Sequence, residues 1–179
     1  MSTLTRGAWI LRHAIAILLL PFIVVVVVPG WLMEARGGWV TQLPAELTAA
    51  PPAAIAAHAA GGLLLLLGAA LFAWCLALFA GVGRGTLAPW DPPPHFVAIG
   101  PYRYVRNPMI LGVLGVLVGE ALIHRSPRLA AWALAFWLLN EVYFILLEEP
   151  MLEQRFGESY RAYRASVPRW VPRRPPRSL

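Results

Sequence analysis

The sequence has no lysine, a single cysteine and few charges of either sign. All 15 basic residues are arginine, and a composition rich in Arg, Ala, Pro and Gly explains that bias more simply than a need for guanidinium chemistry at every position. With Cys75 as its only cysteine, one chain can form neither a disulfide framework nor a cysteine metal site. Charged residues make up 13% and hydrophobic residues 59% of the 179, which excludes an ordinary water-soluble domain. No internal repeat, long linker or soluble domain is visible. Nucleic-acid motifs are missing as well. Gly81-Val82-Gly83-Arg84-Gly85 has no strand before it and no helix after it, so it reads as a turn leaving a helix and not as a nucleotide cradle.

What is present is apolar and helical in period. Leu11–Val28, Ile55–Ala80, Met109–Ile123 and Leu129–Leu147 each approach the length needed to cross a hydrocarbon slab about 30 Å thick at about 1.5 Å per residue. The expectation is an all-α, polytopic membrane protein of four transmembrane helices. The third span is short, which leaves its N-terminal entrance near the head groups. Arg6 and Arg12 precede the first span as in a signal peptide, but no small-x-small cleavage site follows, so it is read as an anchor. Twelve arginines fall before span one, between spans two and three, or in the tail, against three elsewhere. The positive-inside rule then puts both termini and the span 2–3 connection in the cytoplasm of a multi-pass protein of the bacterial inner membrane. A pI near 10.4 implies attraction to anionic membrane lipids. One domain covers 1–179: N-terminal helices in 1–83, a motif region in 84–172 and a basic tail in 173–179. Arg36–Pro52 is an outer loop, "HRSPR" a tight turn between antiparallel helices, and Gly112, Gly115 and Gly119 let a neighbouring helix approach closely.

The polar residues gather in three places. "GPYRYVRNPMILG", Gly100 to Gly112, sets two arginines and two tyrosines directly before the third span. Upstream, "GVGRGTLAPWDPPPHFVAIG" is too polar to cross and too apolar to be free in water, so it belongs at the interface. Glu148 and Glu149 stand together at the end of span four, with Asn140 and Glu141 two turns earlier inside the apolar stretch. Ionisable groups at such depth face a partner, a cavity or a functional site; pairing of Glu141 with Arg103 or Arg106 is one ordinary solution. Beyond Pro150, Leu152, Phe156, Tyr160, Tyr163 and Val167 mark one face of a C-terminal amphipathic helix. That helix lies on the membrane or folds over the "GPYRYVRNP" loop, with Trp170 as an interfacial anchor.

"GPYRYVRNP", then a short glycine-containing helix, then "EEP.L...FG..Y..Y...VPRW.P" resembles the isoprenylcysteine carboxyl methyltransferase family and its related bacterial and phospholipid membrane methyltransferases. The resemblance runs from Arg84 to Pro172. It implies a cytoplasm-facing S-adenosylmethionine pocket beneath the C-terminal helix, and a lipid-side opening for a lipophilic acceptor. It further implies that His95, Phe96, Val97, Tyr102, Asn107, Pro108, Met109, Ile110 and Glu148 line the cofactor site, with Arg106 and Glu149 beside them. Neither a metal nor a nucleic acid is expected.

Those residue types suit that ligand. A carboxylate such as Glu148 accepts from ribose hydroxyls or an ammonium, Arg106 can hold a carboxylate as a fork, and Tyr102 or Phe96 can pack on adenine. Two departures matter. Asn107 and Ile110 stand where the family commonly has His and Tyr, and asparagine does not titrate. Phe144 replaces the arginine that in the eukaryotic prenylcysteine enzymes contacts the substrate carboxylate, so a prenylcysteine acceptor is not expected. If the acceptor is an amine, Glu141 is the intramembrane candidate to receive its proton. Two other readings stay open: a membrane reductase, which would need a nicotinamide dinucleotide although no dinucleotide fingerprint is visible, and a non-catalytic membrane scaffold.

Overall fold

The computed structural model describes residues 18–34, 51–83 and 98–173, and these contain helices, turns and no strand. His95, Phe96 and Val97, the Arg36–Ala50 part of the expected outer loop, the N-terminal arginines and the end of the basic tail lie outside the described residues. Helix α1 is π-wound over Leu18–Val27 and α-helical over Val28–Glu34. It runs one and a half turns past the expected end at Val28, carrying Pro29 inside it. Helix α2 covers Pro52–Leu78 and widens into a π-turn at Phe79–Gly83. A 3-10 turn at Gly100–Arg103 leads to α3, Pro108–Ile123, and the turn at 124–126 leads to α4, Pro127–Tyr143. Helix α4 continues through a π-turn at Phe144–Glu148 into α5, Glu149–Phe156, and α6 follows at Glu158–Ser166. Two continuous helices, Pro52–Val82 and Pro127–Phe156, are long and apolar enough to cross a membrane, and two shorter apolar ones, Pro21–Glu34 and Pro108–Ile123, stand beside them.

Helices α2 and α3 share the most extensive contact in the fold, because their seam has almost no side chains. A methyl group added at Gly68 would lie 2.5 Å from the Gly112 carbonyl oxygen, and one at Gly119 would lie 2.7 Å from that of Gly61. Backbone meets backbone there, the arrangement that small residues at i and i+7 permit between membrane helices. Gly62, one position off the seam, would meet nothing within 4 Å.

Helix α4 closes the other side of α3, where Val113, Leu117 and Ala133 are buried with Val24, Val25, Trp132 and Phe136 around them. The Trp132 indole Nε1–H donates to the Val24 carbonyl at 3.0 Å, tying α4 to α1. Ser126 caps α4 by accepting from Leu129 N–H at 3.4 Å, with Pro127 in the first helical position where its missing N–H costs nothing. Asn140, one of the polar residues inside the apolar stretch, donates its side-chain amide to its own helix at the Phe136 carbonyl, 2.8 Å away. It therefore needs no partner from another element.

The C-terminal segment departs from expectation. Its apolar positions do share one face, since Tyr160, Tyr163 and Val167 are buried together with Ala98, Leu152 and Phe156 against them. The helix is nevertheless two helices. Gly157 breaks it with φ 55 and ψ −126, a conformation that L-residues with a side chain avoid. Arg164 Nη1 reaches back across the break to Glu153 Oε2 at 3.0 Å.

Candidate functional site

The turn before α3 is held from beneath and from above. Beneath, the Tyr102 ring is buried against Cys75 and packs with Leu71, Leu78, Phe79 and Met109, its centroid 5.7 Å from that of Phe79. Gly100 takes φ +58 so that the chain can turn under α2, where an added methyl would touch Leu78 at 3.0 Å. Above, the C-terminal chain lies across the turn as a strap. Arg106 N–H donates to the Pro168 carbonyl at 2.8 Å, Arg173 N–H to the Tyr104 carbonyl at 2.9 Å, and the Tyr163 hydroxyl to the Tyr102 carbonyl at 2.7 Å. Burial pushes the Tyr102 and Tyr163 phenols above their usual range, so both stay protonated at neutral pH. Tyr163 thus remains a donor.

A charged cluster fills the space where this turn meets the end of α4. Arg106 Nη1 donates to Glu149 Oε1 at 2.7 Å, and Arg169 Nε donates to the same oxygen at 2.9 Å. Arg169 Nη1 also donates to Glu141 Oε1, and the Trp170 indole N–H donates to Glu141 Oε2 at 2.5 Å. The Arg106 and Glu149 side chains are only 13% and 12% exposed, dry enough for the pair to matter and to be costly to break. Two guanidinium groups face three carboxylates. Glu148 is the one left over: partly buried, beside Glu149, within electrostatic reach of Tyr102, Tyr143 and Tyr160, and without a hydrogen bond or ion pair among the described residues. It ends the π-turn Phe144–Glu148, the kind of widened turn that often re-aims side chains at functional sites. Arg106 Nε is likewise buried with no partner among the described residues.

Among the residues singled out from sequence, Tyr102, Arg106, Glu148, Glu149 and Glu141 come together around this cluster. Met109 packs beside Tyr102, Pro108 is buried in the first turn of α3, and Ile110 is partly buried in the same turn. Asn107 sits at the N-cap position of α3, where its carbonyl accepts from Leu111 N–H at 3.1 Å while its side chain makes no capping bond. One expectation is corrected: Glu141 pairs with Arg169, whereas Arg103 is exposed. The Trp170 indole is bonded to Glu141, and its ring packs at 6.1 Å from Trp137 and 5.8 Å from Phe144. Arg169 was missed altogether, although it stands in the "VPRW" motif.

An apolar helical framework with a charged, partly buried cluster at one end, roofed by the C-terminal strap, is the architecture of a membrane protein. The particular kind follows from comparison: residues 56–159 match the family model described as phospholipid methyltransferase. The chain belongs to that family, within the wider group of membrane methyltransferases that includes the isoprenylcysteine carboxyl enzymes. Its members are methyltransferases of lipid-like substrates, in general drawing the methyl group from S-adenosylmethionine. No curated protein and no solved structure matches the chain. The match takes in the turn before α3 and all three carboxylates, and ends before Arg169 and Trp170.

Proposed function

We propose that this protein transfers a methyl group from S-adenosylmethionine to a lipophilic acceptor, at a pocket enclosed by the Arg106 turn, the Glu148–Glu149 helix end and the strap. In this reading four helices cross the membrane and the pocket faces the cytoplasm with both termini, an orientation supported by the twelve-to-three distribution of arginines. The observation that carries the reading is the charge imbalance of the cluster. Glu149 and Glu141 are neutralised by Arg106 and Arg169, and Glu148 remains, among the described residues, as an unpaired carboxyl group in a partly buried place. A carboxyl group held there without a counter-charge is costly to ionise, and a cationic ligand removes that cost. A donor carrying a sulfonium and an ammonium does so. Its carboxylate has a matching group in the unpartnered Nε of Arg106.

The residue roles follow. Glu148 accepts from the ammonium or the ribose hydroxyls, and Arg106, already fixed by Glu149, presents its remaining N–H to the carboxylate. Asn107 to Ile110 add to the lining, and the family resemblance assigns the same role to His95, Phe96 and Val97, which lie outside the described residues. Tyr102 sits at its floor, where α2 and Met109 immobilise it. Glu141 has both oxygens engaged, so its role is to position the strap through Arg169 and Trp170. Bound in the pocket, S-adenosylmethionine would supply an electrophilic methyl group. The protein contributes alignment and the exclusion of water by the strap, the two effects an in-line displacement uses most.

Calorimetric titration of the purified full chain in detergent tests this directly. S-adenosylmethionine and S-adenosylhomocysteine should both bind. Binding of NADPH alone would point to a reductase, and binding of none of the three to a scaffold. Labelled-methyl transfer into a total lipid extract, followed by mass spectrometry of the product, would then identify the acceptor.

A further inference from the structure

At the opposite end of α3 from the charged cluster, a groove of about 630 Å³ runs between α3 and α4. That lies inside the range of small-molecule sites, about 300–1,000 Å³. Leu114, Val118 and Leu122 form one wall, and Ala130, Leu134 and Trp137 the other. No acidic residue lines it among the described residues. Its rim is the turn between the helices, where Arg125 lines the groove next to Ser126, and Arg128 follows in the first turn of α4. Both arginines are exposed, and neither guanidinium has a hydrogen bond or ion pair among the described residues. The N-terminus of α4 lies between them, adding the partial positive charge of its first turn. Helix α3 has 16 residues, so the rim stands about 24 Å from the charged cluster, close to the thickness of the hydrocarbon core. The groove therefore opens toward the other leaflet.

We propose that this groove holds an acyl chain of an anionic glycerophospholipid, with the lipid phosphate against Arg125 and Arg128. Charge complementarity selects this occupant. An apolar slot alone would accept any chain, but two unpaired guanidinium groups and a helix N-terminus at one end favour a head group with net negative charge over a zwitterionic one. The site is separate from the methyl-donor pocket and does not rest on that assignment.

Native mass spectrometry of the full chain, purified in detergent and loaded with phosphatidylglycerol or phosphatidylcholine, tests the proposal. One phosphatidylglycerol should be retained where phosphatidylcholine is lost. Substituting both arginines (Arg125→Ala with Arg128→Ala) should weaken retention roughly tenfold or more, since two charge-assisted contacts disappear. Ala130→Trp, which fills the groove, should also abolish it. Ala131→Trp, at an exposed position outside the groove lining, controls for general disturbance of α4 and should retain the lipid. Equal retention of both lipids, or undiminished phosphatidylglycerol in either the double-arginine variant or Ala130→Trp, would overturn the proposal.

Discussion

Glu149 accepts from two guanidinium groups while Glu148, one residue earlier, accepts from none. Chemistry at the residue scale turns on that asymmetry, because a carboxylate already paired twice offers little to a ligand and an unpaired one offers everything. Glu148→Ala should abolish S-adenosylmethionine binding in the calorimeter while leaving the Arg106–Glu149–Arg169 network in place; unchanged affinity would remove Glu148 from the pocket. Arg106→Ala should weaken binding by about 1.5–3 kcal/mol, the range for a hydrogen bond to a charged group. Lysine at position 106 should not restore it, because an ammonium cannot bond Glu149 and a ligand carboxylate through one rigid fork. Much of this was legible beforehand. Two adjacent glutamates at the end of an apolar run are costly enough to be noticed in any sequence, whereas their partner Arg169 was one of fifteen arginines in a composition biased toward them. Spacing does not say which guanidinium reaches which carboxylate. That depends on where the strap crosses the Arg106 turn, a tertiary fact.

At the scale of elements, the apolar period located α2, α3 and α4 to within a few residues, because each is long, uninterrupted and bounded by proline or a turn. The C-terminal helix was read from the same period and came out broken, since helical spacing survives a one-residue kink. Leu152, Phe156, Tyr160 and Tyr163 still share a face although Gly157 lies between them. A glycine after phenylalanine was the available clue, and its positive φ is the reason glycine is there. Gly157→Ala should destabilise the α5–α6 pair by about 1–3 kcal/mol, entirely through the backbone, as no neighbouring atom would meet the new methyl group. Faster tryptic cleavage at Arg161 and Arg164, measured without denaturant, would register the loss, and an unchanged rate would show that the break carries no strain.

Over the whole molecule, the tightest join lies between α2 and α3. Gly68→Ala should lower the melting temperature in detergent markedly, because a methyl group 2.5 Å from a carbonyl oxygen forces two helices apart, while Gly62→Ala, with open space before it, should leave melting nearly unchanged. Similar losses for both would mean that the seam is not what holds the pair. From sequence, the third-span glycines already suggested close approach. Their counterparts Gly61 and Gly68 sit in a long Ala- and Leu-rich run that presents no face of its own, so the register could come only from the packed structure.

A seam made of main chain on both sides also limits how the protein can move. Two helices locked carbonyl against Cα have no rotamers to rearrange and no room to slide, so they behave as one stiff plank. For the proposed pocket, ligand entry would then be accommodated by lifting the polar strap, whose grip is a handful of hydrogen bonds. Amide hydrogens along the plank should be the last to exchange with heavy water, and those of Arg169, Trp170, Val171 and Arg173 among the first.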